Sequence, residues 1–172
     1  NDWRSKKKIA GGGILLDQGI HMVDIMMFLG GGFNKVLSSV TNNYWDLEIE
    51  DNVFAIFENT KSKISASLHS TITQWRHLFS LEVFFERGYI VLNGLKTSSN
   101  SYGKEILTVA KNRSLPPEAN WSKQKKFIYK NDNSWNNELN NFYKAISSKK
   151  NYTANTQEAY NLMKIVDKIY KK

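Results

Sequence analysis

Three ionisable residues, Asp17, His21 and Asp24, interrupt an otherwise apolar stretch near the start of the chain. Their spacing of i, i+4 and i+7 places them on one face if the stretch is helical. Burying such groups without partners costs roughly several kcal/mol, so this face must meet solvent in a cleft, polar groups of the protein, or a ligand. A histidine beside a carboxylate is suited to proton transfer, because imidazole titrates near neutral pH and the carboxylate can orient and stabilise it.

The same residues allow two other interpretations. In the first, they form a structural stripe in which Asp17 and Asp24 cap nearby backbone and His21 is a satisfied core histidine. In the second, Asp17 and His21 ligate zinc or iron, which carboxylate and imidazole groups at this spacing can do. That site needs a third ligand, and nothing in the sequence places His69 or His77 beside it. Spacing alone leaves all three interpretations open.

The element that must position these residues is a helix over residues 11–30. Three glycines, Gly11 to Gly13, allow the chain to turn and approach closely before it, and Gly30 to Gly32 end it. Apolar residues cover nearly every face, which predicts that the helix is buried.

The middle of the chain changes to a strand-like period, and the end returns to a helical one. Helices are predicted from about Ser134 and from Thr156. Short turns between successive strands favour antiparallel pairing. We therefore predict an α+β fold with one mainly antiparallel open sheet and helices packed on one face. Strands are predicted at residues 33–43, 52–58, 63–72, 78–86, 89–93, 105–111 and 125–129, and a loop at residues 114–120.

Composition excludes several classes of protein. The 172 residues contain no cysteine, so disulfides and thiolate sites are absent, and no signal peptide opens the chain, which together predict a cytoplasmic protein. The longest apolar stretch is interrupted by charged residues, which predicts no membrane partner. The net charge of +8 raises the question of nucleic-acid binding, but the lysines are scattered among Asn- and Ser-rich stretches. We therefore expect no nucleic-acid partner.

Several segments together resemble the C-terminal domain of the glucose–fructose oxidoreductase / inositol dehydrogenase / rhizopine catabolism (Gfo/Idh/MocA) oxidoreductases. The resemblance covers nearly the whole chain, and its most specific part is the glycine, aspartate and histidine string. The segments are Trp3-Arg4, Gly11-Gly12-Gly13, Asp17, Gly19, His21 and Asp24, residues 50–57, residues 84–89, and the closing helix.

The resemblance implies an open-sheet fold of the glyceraldehyde-3-phosphate-dehydrogenase-like C-terminal type. It also implies that residues 1–172 are a single substrate-binding and oligomerisation domain. It further implies an N-terminal Rossmann domain, absent from this chain, that binds NAD or NADP. This chain has no G-x-G-x-x-G motif after a strand and is therefore not expected to bind the dinucleotide itself. The complete enzyme would oxidise or reduce a hydroxyl or keto group of a sugar, cyclitol or nucleotide-sugar, and this chain alone would be inactive. The alternative is a non-catalytic dimerisation or ligand-binding module of the same fold.

The resemblance also assigns roles to individual residues. His21 becomes the catalytic acid/base, and Asp17 its partner or a substrate ligand. No cofactor-binding residue and no metal site are expected in this chain. A sugar-like substrate and a homodimer or tetramer through the open sheet face are the expected partners. Trp75 and Arg76 follow a predicted strand and are not part of the resemblance. The Trp face could stack on a sugar and the Arg could pair with a phosphate or carboxylate, or the segment is an ordinary sheet edge with a packed Trp. The candidate substrate-binding residues are Arg4, Asp24, Trp75 and Arg76.

Overall fold

The computed structural model of the chain describes residues 2–111, 123–148 and 154–171. The predicted loop at residues 114–120 lies outside them. The described residues gather into two compact units. Residues 2–73 and 154–171 form the first unit, and residues 74–111 and 123–148 form the second.

Helices open and close the first unit, and strands fill the middle of the chain. The helical elements are a 3-10 segment (Trp3–Ser5), α1 (Lys7–Ala10), a π-helical turn (Leu15–Gly19), α2 (Ile20–Gly30), α3 (Ser134–Ser148) and α4 (Thr156–Tyr170). The strands are β1 (Lys35–Thr41), β2 (Asn52–Asn59), β3 (Ile64–Thr71), β4 (Ser80–Phe85), β5 (Gly88–Asn93), β6 (Glu105–Lys111) and β7 (Lys125–Tyr129).

The core of the first unit lies between one face of its sheet and two helices. The antiparallel sheet has the order β1-β2-β3, and α2 and α4 pack against it. Val53, Ala55 and Phe57 alternate along β2 and are buried, as the two-residue period of a strand requires. The other buried core residues of this unit are Ile14, Leu15, Val23, Phe33, Leu68, Ile165, Val166 and Ile169.

The opposite face of this sheet is apolar but uncovered. Phe54 and Ile56 of β2 are each 51% exposed, and Leu37 of β1 is 70% exposed. The register sets Leu37 opposite Ile56. An exposed apolar group of this kind on a sheet face is typical of an interaction surface.

The second unit is an antiparallel meander with the order β4-β5-β6-β7, followed by α3. Phe85 pairs with Gly88 across the two-residue turn Glu86-Arg87, so the strands predicted at residues 78–86 and 89–93 form a hairpin. Each later strand pairs with the strand before it, so the pairing is local throughout.

The α+β class, the antiparallel pairing and the predicted strands are confirmed. The strands form two hydrogen-bonded groups where one sheet was expected, because residues 72–79 adopt turns and bends between β3 and β4. The prediction that the first helix is buried holds for one of its sides only. Only Val23 of α2 is fully buried, while Phe28 is 87% exposed, since α4 and β3 cover one side of the helix alone.

The helical stretch Lys7–Gly30, with a mean hydropathy of 1.3, is long and apolar enough to cross a membrane. In the fold, however, its residues Leu15 and Val23 are fully buried in the protein core beside β2 and α4. Its ionisable residues Asp17, His21 and Asp24 are exposed. We therefore assign this stretch to the core of the first unit.

A buried carboxylate organises the connection between β1 and β2. Asp51 is fully buried and accepts hydrogen bonds from the backbone N–H groups of Tyr44 (2.8 Å), Trp45 (3.0 Å) and Asn43 (3.4 Å). Burial alone would raise the pKa of Asp51, but these backbone donors more than offset that effect and hold its pKa below the usual value. The carboxylate therefore stabilises this connection in its ionised form.

We predict that Asp51 makes stability depend on acid pH. Because the pKa of Asp51 is lowered in the folded state, its contribution is complete above the unfolded pKa of about 4 and is lost as pH falls through the lower folded value. Asp51→Asn should reduce the free energy of unfolding at pH 7 by about 1–3 kcal/mol and flatten its fall between about pH 4 and pH 2. Urea unfolding across this range measures both effects, with exposed Asp24→Asn as control. An unchanged acid limb in Asp51→Asn would contradict the prediction.

The turn that enters the first helix leaves no room for a side chain. A Cβ atom added to Gly13 would lie 2.1 Å from the backbone oxygen of Glu50, whereas one added to Gly32 would meet nothing within 4 Å. Backbone atoms cannot move aside as a flexible side chain can. The close approach of this turn to the segment before β2 therefore requires glycine at position 13.

We expect Gly13→Ala to lower the free energy of unfolding by about 1–3 kcal/mol, because the new methyl group forces the two backbone segments apart. Gly32→Ala is the matched control and should stay within about 0.5 kcal/mol of the wild type. Thermal and denaturant unfolding measure both. Equal stability of the two variants would show that Gly13 does not lie against the backbone of Glu50.

Candidate functional site

A cleft of about 590 Å³ opens in the first unit, where the N-terminal segment meets the turn before α2. It brings together two of the residues predicted from the sequence, Arg4 and Asp17. Its remaining lining residues are mostly apolar or small. They are Asp2, Trp3, Ser5, Ala10, Gly12, Gly13, Ile14, Leu16, Leu47, Ile49 and Ile72.

Arg4 supplies the positive charge in this cleft. Its Nε lies 3.9 Å from Oδ1 of Asp17 and its Nη1 3.8 Å from Oδ2 of Asp2. Its guanidinium carbon lies 4.8 Å from the centroid of the Trp3 ring. These side chains are more than half exposed, so the ion pairs contribute little stability. Arg4 and the two aspartates instead give the cleft accessible hydrogen-bond donors and acceptors next to the Trp3 ring.

Glu48 holds the N-terminal segment in place. Its carboxylate accepts hydrogen bonds from Nζ of Lys6 at 3.0 Å and from the backbone N–H of Lys7 at 3.2 Å. The hydrogen bond and the charge of Lys6, together with the N–H of Lys7, hold the pKa of Glu48 below its usual value. The contact fixes the start of α1 and so the position of the segment that carries Trp3 and Arg4.

Asp17 lies within the π-helical turn and is fixed through its backbone. Its N–H donates to the carbonyl oxygen of Gly13 at 3.0 Å. Its side chain is exposed and accepts a hydrogen bond from Nε2 of Gln18 at 3.3 Å. Single π-helical turns within α-helices occur frequently at functional sites. The carboxylate is thus accessible while its main chain is held.

His21 and Asp24 lie farther along the same helix and face solvent. Neither belongs to the lining of the Arg4 cleft. Among the described residues, no hydrogen bond or ion pair joins His21 to Asp17. The structural interpretation of His21 as a satisfied core histidine is therefore wrong for this conformation, since its side chain is exposed.

Trp75 and Arg76 belong to the second unit. Trp75 is fully exposed, and Arg76 lines a second cleft of about 450 Å³ with His77, Tyr102 and Lys104. The rings of His77 and Tyr102 contact each other, with centroids 5.0 Å apart. The structure thus places Trp75 and Arg76 in a different unit from Asp17, and their role as substrate ligands stays a prediction.

Both histidines considered as a third metal ligand have other neighbours: His77 contacts Tyr102 in the second unit. His69 of β3 stacks on Phe54 at 4.0 Å, and its Nε2 lies 2.9 Å from Oδ1 of Asn52. Within residues 2–111, 123–148 and 154–171, no three His, Asp or Glu side chains converge as metal ligands.

The glycine-rich turn does not fit the phosphates of a dinucleotide. Phosphate loops present free backbone N–H groups at a helix N-terminus. Here the N–H groups of Gly13 and Leu15 donate to the buried carboxylate of Glu50, at 2.8 and 3.1 Å. A negative protein group therefore already occupies the position that a phosphate would take.

Glu50 and Tyr170 are the residues of this region that sequence reasoning missed. The hydroxyl of Tyr170, at the end of α4, donates to Oε1 of Glu50 at 2.7 Å. Glu50 precedes the strand predicted at residues 52–58, and Tyr170 lies in the predicted closing helix. Neither periodicity nor spacing relates residues so far apart in the chain.

Comparison with known proteins supports the family. Residues 1–91 match the model of the GFO/IDH/MocA C-terminal domain. No curated protein matches this chain.

Solved structures with the same fold include three oxidoreductases. A putative NADPH-dependent oxidoreductase from Desulfitobacterium hafniense has 16% identity and a TM-score of 0.76, covering 98% of this chain and 48% of that one. Levoglucosan dehydrogenase in complex with NADH has 18% identity and a TM-score of 0.75, covering 98% and 50%. The 3-ketoreductase KijD10 from Actinomadura kijaniata, in complex with TDP-benzene and NADP, has 15% identity and a TM-score of 0.73, covering 98% and 48%.

This chain spans about half the length of these structures. At such low identity the likeness shows the fold, and the family model, which matches more than half of the chain, shows the relationship. The glycine turn and the cleft that Arg4 and Asp17 line both lie inside the matched residues. The chain belongs to the GFO/IDH/MocA family of oxidoreductases and carries its C-terminal domain.

Proposed function

We propose that this chain is the substrate-binding and catalytic half of an NAD(P)-dependent oxidoreductase. It acts on a hydroxyl or keto group of a sugar, cyclitol or nucleotide-sugar. The observation that carries the proposal is the cleft in which Asp17 and Arg4 meet, with His21 one turn farther along the helix. Solved structures of this fold include levoglucosan dehydrogenase and a UDP-N-acetylglucosamine 3-dehydrogenase, which supports a sugar-like substrate.

The cleft has the chemistry that a polyhydroxylated ligand needs. Arg4 offers several N–H donors, and Asp17 offers acceptor oxygens, both accessible to a ligand. The exposed face of Trp3 beside them can cover the C–H groups of a sugar ring. Gly12 and Gly13, which carry no side chain, let such a ring approach the backbone.

His21 exchanges the proton of the reacting hydroxyl in this proposal. Its exposed ring lies one helical turn after Asp17, and an imidazole is a suitable base or acid near neutral pH. Asp17 binds a substrate hydroxyl or orients the ring of His21. A nicotinamide, when bound, supplies the hydride acceptor or donor. Its dinucleotide is held mainly by a domain outside these 172 residues, since the glycine turn here is already occupied by Glu50.

The uncovered face of the β1-β2-β3 sheet is the proposed contact with a second copy of the chain. Leu37, Phe54 and Ile56 present exposed apolar surface there. His69 stacks on Phe54, and burial lowers its pKa, which favours the neutral imidazole. The face also carries one ion pair, between Lys35 and Glu58, at 3.3 Å. A self-complementary, mainly apolar face of this kind suits a two-fold dimer.

We predict that Asp17→Asn and His21→Gln each lower kcat/KM of the complete enzyme at least about 100-fold, because His21 is the proposed acid/base and Asp17 holds its ring or a substrate hydroxyl. Both side chains are exposed, so the free energy of unfolding should change by less than about 0.5 kcal/mol. Steady-state kinetics with NAD(P) and a panel of sugars and cyclitols, beside urea unfolding, measure both quantities. The exposed turn residue Glu86→Gln is the control.

Wild-type kinetics in the His21 variant would refute the acid/base assignment. Absence of any NAD(P)-dependent turnover in the wild-type enzyme would instead favour the alternative, a non-catalytic dimerisation or ligand-binding module.

We predict that Ile56→Asp weakens self-association at least about tenfold, because it introduces a charge into the apolar sheet face. The matched control is Ile9→Asp, which changes an isoleucine that is 67% exposed on α1, away from that face. Sedimentation velocity over a concentration series measures the dissociation constant. A monomeric wild type, or equal dissociation constants for the two variants, would exclude this face as the contact.

A further inference from the structure

Three distant segments of the chain meet at one buried carboxylate. Glu50 is only 7% exposed and lies two residues before the first residue of the strand β2. Its Oε2 accepts the N–H of Gly13, and its Oε1 accepts both the N–H of Leu15 and the hydroxyl of Tyr170, at 2.8, 3.1 and 2.7 Å. We call this arrangement of Glu50 and Tyr170 around the turn the Glu50 clamp.

Packing holds the clamp from both sides. A Cβ atom on Gly12 would lie 2.3 Å from the Tyr170 hydroxyl oxygen, and one on Gly13 would lie 2.1 Å from the backbone oxygen of Glu50. The turn thus rests directly on Tyr170 and on Glu50. A shift of either residue must be accompanied by a shift of the turn, because close-packed atoms leave no slack.

The Tyr170 hydroxyl keeps its proton across physiological pH. Burial, then the hydrogen bond to Glu50 and its negative charge, raise the pKa of Tyr170 far above its ordinary value, so its hydroxyl remains a donor. A buried carboxylate with three donors is well satisfied, whereas loss of the Tyr170 hydroxyl leaves Oε1 with the N–H of Leu15 alone. The geometry of the turn is therefore sensitive to the single hydroxyl of Tyr170.

Gly13 links the clamp to Asp17 through its two backbone hydrogen bonds. Gly13 gives its N–H to Glu50, and its carbonyl oxygen accepts the N–H of Asp17 at 3.0 Å. Gly12, Gly13 and Asp17 all line the same cleft. The position of the Asp17 main chain is thus set through Gly13 by Glu50 and Tyr170.

We infer that Glu50 and Tyr170 are positioning residues for the reaction, which hold Asp17 in place from the last turn of α4. This inference rests on the proposed function of Asp17. Neither residue lines the cleft, so neither touches the substrate. Their effect on turnover passes through the main chain of Asp17.

Tyr170→Phe, which removes one oxygen and keeps the ring, tests the inference. In the complete enzyme it should lower kcat/KM roughly tenfold to hundredfold at temperatures where the variant is fully folded, as expected for a misplaced catalytic group. The matched control is Tyr160→Phe on the same helix. The Tyr160 ring is 56% exposed and contacts Lys164, so this change should leave kcat/KM unaltered.

A double-mutant cycle separates positioning from simple stabilisation. In an Asp17→Asn background, Tyr170→Phe should change kcat/KM by less than about twofold, because the group that it positions is already lost. Its effect on the melting temperature should be the same in both backgrounds. Hydrogen exchange at the amides of Gly13, Leu15 and Asp17 should accelerate in Tyr170→Phe and not in Tyr160→Phe.

The outcomes are distinguishable. If Asp17→Asn keeps wild-type kinetics, the proposed function of Asp17 fails and the inference falls with it. If Asp17→Asn is impaired but Tyr170→Phe is as active as wild type, or lowers kcat/KM equally in both backgrounds, the proposed function stands and the positioning role is overturned.

Discussion

The first unit depends on the placement of a negative charge at the start of a helix. The carboxylate of Glu50 accepts two backbone N–H groups that the helix itself cannot pair, which is favourable because the helix dipole is positive at that end. The carboxylate is buried, so this charge is stabilised only while those donors stay in place. The sheet edge, the glycine turn and the final helix are therefore constrained together.

Two neighbouring buried acids, Glu50 and Asp51, stabilise different segments of the first unit. Asp51, next in sequence, points to the connection after β1 and pairs with backbone N–H groups there. Glu50 points to the glycine turn instead. One dipeptide therefore fixes both the connection after β1 and the glycine turn.

Much of this fold could be predicted from the sequence, because the patterns that identify its helices and strands lie within short stretches of neighbouring residues. The two-residue alternation in β2 and the turn at Glu86-Arg87 require only neighbours to be recognised. The family resemblance carried by the glycine string and Asp17 pointed to one side of the cleft, whereas His21 lies outside its lining. The division into two sheets, the exposure of α2 and the pairing of Glu50 with Tyr170 were not predictable, because each depends on which distant segments meet in three dimensions.

The first unit is discontinuous in sequence, since its final helix follows the whole of the second unit. Ile165, Val166 and Ile169 of α4 complete the core that β2 and α2 begin. During synthesis the early strands and the glycine turn can complete their core only when α4, about a hundred residues later, has been made. Forming contacts over such a sequence separation is slow compared with local strand pairing. The second unit, built of sequential hairpins, has no such delay, so it can fold first and bring α4 back to an apolar surface that has stayed open until then.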